Sequence, residues 1–419
     1  MKLREYQIQI AQMTCSKLKQ LKLVYLALET RTGKTMIALE SCRLYGANKI
    51  LFVTKKKVIG SILKDYKYYK DCFDCVVINY ESVLKAKDVY DIVICDEAHS
   101  LGAYPKPAKR YKDIKSISNE TPVILMSATP SPESYSQLYH QFTVNKYHSW
   151  AAARNFYQWA GYYVNIRKKY MYGREINDYS QACIEKIEKK TSEYFITYTQ
   201  KQAGFTQQVK ENILTCKIKD ETMQLINFLN ADKIVKVNGL DVLGDTAVKL
   251  MSKVHQLSSG TVISEDGQGI IIDFSKAEFI KEYFKNKKIA IFYKFTQEFE
   301  LLKIVFKNWT ASPEDFQSNY DTTFLGQFQS AREGIRLDKA DALIFYNIDF
   351  SYLSYEQSKN RIISKERDMP APLYFIFSNQ GIEHKIYKVV KNKEDFTIYH
   401  YRKEYGTRYT KKTGEKIRG

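Results

Sequence analysis

Three short strings hold the residues best suited to chemistry. LETRTGKT, from Leu28 to Thr35, follows the apolar run LVYLAL and precedes the helical stretch MIALESCRLY, so it reads as strand, turn and helix start. Phosphate binding needs that arrangement: small residues whose backbone N–H groups wrap an oxyanion, a lysine for the β and γ oxygens, and a hydroxyl for Mg2+. Thr32 and Gly33 would form the wrap, Lys34 would bridge the phosphates, and Thr35 would hold the metal. Leu28 stands where such loops usually carry their first glycine, so the string alone also reads as a chance GKT at a helix start.

The second string supplies what the first lacks. Asp96 and Glu97 follow the apolar run YDIVIC, which places two adjacent carboxylates at the carboxyl end of a buried strand. Asp96 can bind Mg2+ while Glu97 orients or deprotonates an attacking water, the division of labour that phosphoryl transfer requires. The alternative for this pair is a helix N-cap with an acidic first turn. The third string, Ser127 to Thr129, ends another strand; with His99, its hydroxyls could link the phosphate site to a second lobe, or they form an ordinary turn before Pro130.

These strings need rigid strands behind them. Apolar, β-rich runs alternate with helical sequence at KILFVT, CVVINY, DIVICD and PVILMSAT, and again at KIAIFYKF, ALIFYNI and PLYFIF. Buried parallel strands have this appearance, so the expected fold class is α/β with two lobes on parallel sheets. The expected boundaries are 1–145 for the first lobe, 146–275 for a helical insertion and connector, 276–395 for the second lobe and 396–419 for a basic tail.

The formal charge of +18 favours a polyanionic partner, nucleic acid ahead of a membrane surface. No apolar window approaches the roughly 18 residues that span a bilayer, and MKLREYQIQIAQ lacks a secretory core, so a cytosolic protein is expected. The seven cysteines suit reduced thiols, with Cys72 and Cys75 lacking a second pair at zinc-finger spacing.

GKT, then DEAH, then SAT, in that order, resemble a superfamily two helicase, and further strings resemble its Swi/Snf-like branch. LREYQ (3–7) resembles the branch's adenine-reading entry motif, and INYESVLK (78–85) its segment between the first two nucleic-acid contacts. DEAHSLGAYPKPAKR (96–110) resembles its DEAH-plus-helix segment. AIFYKFTQEFELL (290–302) resembles the start of its second lobe, and EGIRLDKADALIFYNIDFSYLSYEQSKNR (333–361) its motifs V and VI. The resemblance covers about residues 1 to 395 and is weak between 146 and 250.

It implies two RecA-like lobes, ATP with Mg2+ as cofactor, and movement on single-stranded, duplex or forked DNA. Residue by residue, it implies Gln7 on the adenine, Lys34 and Thr35 on phosphate and Mg2+, Asp96 on Mg2+, and Glu97 on water. It further implies coupling through Gly334 and Leu337 of motif V and Gln357 of motif VI, with Arg361 as an arginine finger. The family's second finger position is Ser364 here; Arg367 is favoured over Lys365 as the substitute, because a planar guanidinium suits phosphate better than an ammonium does. The resemblance is to short motors of the sort that bacteria and phages encode, with tasks in replication or recombination.

Lys55, Lys56 and Lys57 after KILFVT, and Arg332 and Arg336 around motif V, are candidate backbone grips or plain surface charge. In HSWAAARNFYQWAGYYVNIRKKY (148–170), the spacing of Trp150, Arg154, Tyr157 and Gly161 suits a core-facing helix better than base stacking. RNA in place of DNA, translocation without strand separation, and a silent nucleic-acid-binding protein on the same fold stay open as alternatives.

Overall fold

The protein is described here from a computed structural model that covers residues 3–150, 152–171, 174–204, 209–331, 335, 337–359, 361–362, 371–379 and 381–392. It divides into two compact units, Met1–Thr206 and Gln207–Gly419.

The first unit is built on strands β1 (Leu23–Leu28), β2 (Lys49–Thr54), β3 (Asp74–Asn79), β4 (Ile92–Asp96) and β5 (Val123–Met126), followed by the hairpin β6 (Arg167–Met171) and β7 (Arg174–Asp178), then β8 (Phe195–Tyr198). Its six-stranded parallel sheet runs β3-β2-β4-β5-β1-β8. The strands are apolar on both faces because helices cover both, and the two-residue period of a strand sends alternate side chains to different cores. Tyr25, Val53, Cys95 and Leu125 enter one core; Leu26, Phe52, Ile94 and Met126 enter the other.

The second unit begins with β9 (Val209–Cys216), continues through the hairpins β10 (Ile234–Val237) with β11 (Leu240–Leu243) and β12 (Thr261–Ile263) with β13 (Gly269–Ile271), and completes its sheet with β14 (Ile289–Tyr293), β15 (Trp309–Thr310), β16 (Thr323–Gln327), β17 (Ala342–Phe345) and β18 (Ala371–Ser378). That sheet is also six-stranded and parallel, in the order β15-β16-β14-β17-β18-β9. The expected α/β architecture of two parallel-sheet lobes is therefore present.

The stretch 146–275 is not purely helical. It contributes an edge strand to each sheet, β8 and β9, and three antiparallel hairpins, and the division between the units falls within it. Its strands are short, charged and half-exposed, so they lack the apolar runs that marked the others. The two tryptophans pack: Trp150 and Trp159 are 2% and 0% exposed, in a cluster with Tyr139, Phe156 and Tyr163. All seven cysteines are free thiols. Among the described residues no helix is long and apolar enough to cross a membrane.

Candidate active site

The strand order puts β4, β5 and β1 side by side, so the acidic pair, the SAT string and the phosphate loop all leave the same carboxyl edge of the first sheet. Open α/β sheets bind ligands at that edge. Ser127 closes the arrangement by donating its backbone N–H to Leu26 O at 3.2 Å.

The phosphate loop is bent where glycine is required. Gly33 adopts φ 86° as the residue before the helix Lys34–Tyr45, in the left-handed region, and a Cβ there would lie 2.2 Å from Gln7 Nε2. Gln7 is buried, donates to Thr32 O at 3.2 Å and accepts from Arg4 N at 2.9 Å, while the Tyr6 hydroxyl donates to the same Thr32 O at 3.0 Å. Thr32 is itself buried, and its hydroxyl donates to Glu29 O at 2.8 Å. Lys34 curls back over the loop, its Nζ 3.0 Å from Leu28 O. The loop thus presents a helix N-terminus with a lysine folded across it, a geometry suited to an anion. Thr35 is the second residue of that helix.

The carboxylates are paired across the strand end. Asp96 Oδ2 accepts from the Thr54 hydroxyl at 2.8 Å, and the buried Tyr80 hydroxyl donates to Asp96 O at 2.6 Å. Burial and the neighbouring Glu97 push the Asp96 carboxyl up to about 6, against the pull of Thr54 and Lys34. Burial opposes ionisation of Glu97 as well, yet His99, Lys34 and Lys55 hold its carboxyl down to about 2. Glu97 adopts φ 50° and brings Oε2 to 3.2 Å from His99 Nδ1; that nitrogen is also 3.0 Å from Ser127 Oγ, which accepts from Thr129 N at 3.1 Å. Glu97 Oε2 is buried, with no aligned hydrogen bond among the described residues besides its approach to His99. The Asp96 carboxylate at the end of β4 and the Thr35 hydroxyl in the first turn of the helix Lys34–Tyr45 are the candidate ligands for a divalent cation.

In the second unit, the two strings expected to be motifs V and VI meet. Leu337 is fully buried and donates its N–H to Arg361 O at 3.2 Å. Arg361 follows the helix Tyr352–Lys359 and donates Nε to Gln357 O at 2.9 Å. Gln357 is buried, its Oε1 without a hydrogen-bond partner among the described residues. Arg332, Gly334, Arg336, Ser364, Lys365, Arg367 and the tail lie outside the described residues. Lys55, Lys56 and Lys57 follow β2 directly, Lys56 and Lys57 exposed.

A profile of the SNF2-related domain matches residues 19–259, more than half of the chain. The chain belongs to the SNF2-related family. It is thereby an ATPase motor core of the Swi/Snf-like branch of superfamily two, as the string resemblance implied. Among solved structures, this SNF2-related chain is similar to the Sulfolobus solfataricus SWI2/SNF2 ATPase core in complex with dsDNA, at 15% identity and a TM-score of 0.43, over 94% of this chain and 91% of that one. A search of curated proteins found no match.

Sequence reading missed the residues that support the SNF2-related phosphate loop from β8. Tyr198 stacks on Tyr6 with ring centroids 4.9 Å apart, and its carbonyl accepts from Glu29 N at 3.0 Å. Gln200 donates Nε2 to Thr30 O at 3.0 Å and to Thr30 Oγ1 at 2.9 Å, and its backbone N to Glu29 Oε2 at 2.7 Å. These contacts join positions about 170 residues apart, with no local signal to announce them.

Proposed function

We propose that the protein couples Mg2+-dependent ATP hydrolysis to movement on DNA, as a translocase or helicase. The observation that carries the chemistry is the Glu97–His99–Ser127 contact at the lip of the phosphate loop. It gives an ionised carboxylate a fixed aim and connects it to the backbone after β5. On this reading Gly33, Lys34 and Thr32 hold the phosphates, Gln7 contacts the adenine, and Glu97 orients the attacking water. Thr35 and Asp96 hold Mg2+, which supplies charge neutralisation at the phosphates when bound. Arg361 of the second unit, seconded by Arg367, stabilises charge on the transferred phosphoryl group.

DNA as the track is supported by the charge of +18 and by the family. Lys55, Lys56, Arg332 and Arg336 would hold its backbone. His99, Ser127, Thr129, Gly334 and Gln357 would carry the state of the nucleotide to that grip. The resemblance further supports a task in replication or recombination, in a phage or mobile element.

Steady-state ATP hydrolysis tests this, without polymer and with single-stranded, duplex and forked DNA and RNA. DNA should stimulate turnover, and Lys34→Ala or Glu97→Gln should lower it by about 100-fold or more. Stimulation by RNA alone would replace DNA as the track. DNA binding with no hydrolysis would leave a binding protein on a motor fold.

A further inference from the structure

Glu211 lies on β9, the outermost strand of the second sheet, which pairs with β18 along all of that strand from Ala371↔Val209 to Ser378↔Cys216. Its carboxylate is shared by two helices. The Tyr355 hydroxyl, from the helix Tyr352–Lys359, donates to Oε1 at 2.6 Å; the Tyr387 hydroxyl, from the helix Glu383–Lys391, donates to Oε2 at 2.7 Å. Lys391 Nζ stands 3.4 Å from Oε2. Both phenol rings are buried and flank Phe375 of β18, with centroids 6.2 and 4.9 Å from it.

The polarity of the cluster is fixed. Burial opposes ionisation of Glu211, but the two phenols and the nearby lysines hold its carboxyl below its ordinary range, while burial and Glu211 push the Tyr355 phenol far above its own. The carboxylate therefore only accepts at neutral pH and both phenols donate to it, the Tyr387 oxygen also accepting from Lys391 Nζ at 2.9 Å. Charge-assisted O–H···O bonds of this length are short and directional, so they set the rotation of a helix about its axis, which apolar packing alone does not.

The helix so held is the one that leads to Arg361. Tyr355 precedes Gln357 by two residues and Arg361 by six. After the helix ends, Arg361 N donates to Ser358 O at 3.1 Å and Arg361 Nε to Gln357 O at 2.9 Å, so the guanidinium is tethered to the backbone of the same helix. Rotation of that helix carries the tether with it.

We propose that Glu211 is a positioning residue for Arg361, acting through the Tyr355 hydroxyl. The proposal rests on the reading of Arg361 as the arginine finger. Misplacing a charge-stabilising group by about 1 Å costs up to roughly 100-fold in rate, whereas it leaves ground-state binding by other groups intact.

The test uses the full chain in DNA-stimulated ATP hydrolysis, with thermal midpoints in parallel. Tyr355→Phe, which removes one oxygen atom, should lower kcat by about 10-fold with KM for ATP within about twofold of wild type. Glu211→Ala should match it, and the double variant should be no worse than either single one, because both remove the same contact. Tyr387→Phe, on a helix that does not lead to Arg361, should leave kcat unchanged. In an Arg361→Ala background, Tyr355→Phe should have no further effect.

If Arg361→Ala abolishes turnover while Tyr355→Phe stays within about twofold of wild type, the positioning role is overturned and the finger reading survives. Equal kcat losses for Tyr355→Phe and Tyr387→Phe, each following a fall in thermal midpoint, overturn it too, in favour of a purely structural cluster. Normal turnover in Arg361→Ala overturns the finger reading, and the proposal with it. Should Glu211→Ala fail to fold, Tyr355→Phe decides.

Discussion

Replacing Gln200 by Ala should weaken ATP binding without slowing the chemistry. The side chain donates two hydrogen bonds to Thr30, at 3.0 and 2.9 Å, while its backbone N–H to Glu29 survives the substitution. Two part-buried hydrogen bonds at about 0.5–1.5 kcal/mol each give about 1–3 kcal/mol of loop order to be recovered when nucleotide binds. At about 1.4 kcal/mol per tenfold, a central value near 2 kcal/mol predicts a Kd raised by roughly 30-fold. Lys34 and Glu97 are untouched, so the loss belongs in KM and not in kcat. The assay is equilibrium titration with a fluorescent ATP analogue and Mg2+, beside saturating turnover. A Kd within about twofold of wild type, or a loss confined to kcat, would show that the loop holds its shape without the Gln200 side chain.

The other expectations concern stability and the tail. Burial lowers His140 to about 4, with Nδ1 donating to Ala103 O at 2.7 Å. Its folded pKa lies below the unfolded value of about 6.5, so stability is full above that pH and declines below it, by about 2 kcal/mol near pH 5. Urea midpoints at neutral and acid pH should show this, with a shallower fall in His140→Gln. Trp159→Ala should cost about 3–5 kcal/mol in chemical denaturation, while Tyr162→Ala, at a site 67% exposed, should cost almost nothing. Lys276 and Glu383 form a buried pair 2.9 Å apart; Lys276→Met should cost about 3–5 kcal/mol, read from the same denaturation curves. Deleting residues 397–419, which carry Arg402, Lys403, Arg408, Lys411, Lys412, Lys416 and Arg418, should weaken DNA affinity and flatten its salt dependence, leaving basal ATP hydrolysis unchanged.

What the sequence disclosed follows from burial. β1 stands where LVYLAL announces it, β2, β4, β5, β14 and β17 fall within their apolar runs, and β18 extends one residue beyond each end of PLYFIF, because a parallel strand covered on both faces must be apolar throughout. The phosphate loop, the acidic pair and the SAT string were legible because each sits at the end of such a strand. β8 and β9 were not, since an edge strand such as VKENILTC is half-exposed and mixes charge with apolar residues. Gln200 and Glu211 were invisible for a related reason. Each acts through partners far along the chain, Thr30 in one case and Tyr355 and Tyr387 in the other, and no spacing within a window encodes that. Trp150 is in the core as expected, but not through the spacing Trp150, Arg154, Tyr157 and Gly161: the helix begins only at Phe156, Tyr157 is 50% exposed, and the buried face is Phe156, Trp159 and Ala160.

The dependence of the phosphate loop on β8 also bears on the order in which the protein can mature. Chains emerge from the ribosome N-terminus first, and domains fold as their last necessary segment appears. Residues 28–35 are made early, but Tyr198 and Gln200, which brace them, arrive about 170 residues later, together with the strand that closes the sheet beside β1. A nascent chain that ends near residue 145 would carry GKT, DEAH and SAT and still lack the strut under its loop. Competence to hold nucleotide would then await the completed first unit rather than the first 145 residues.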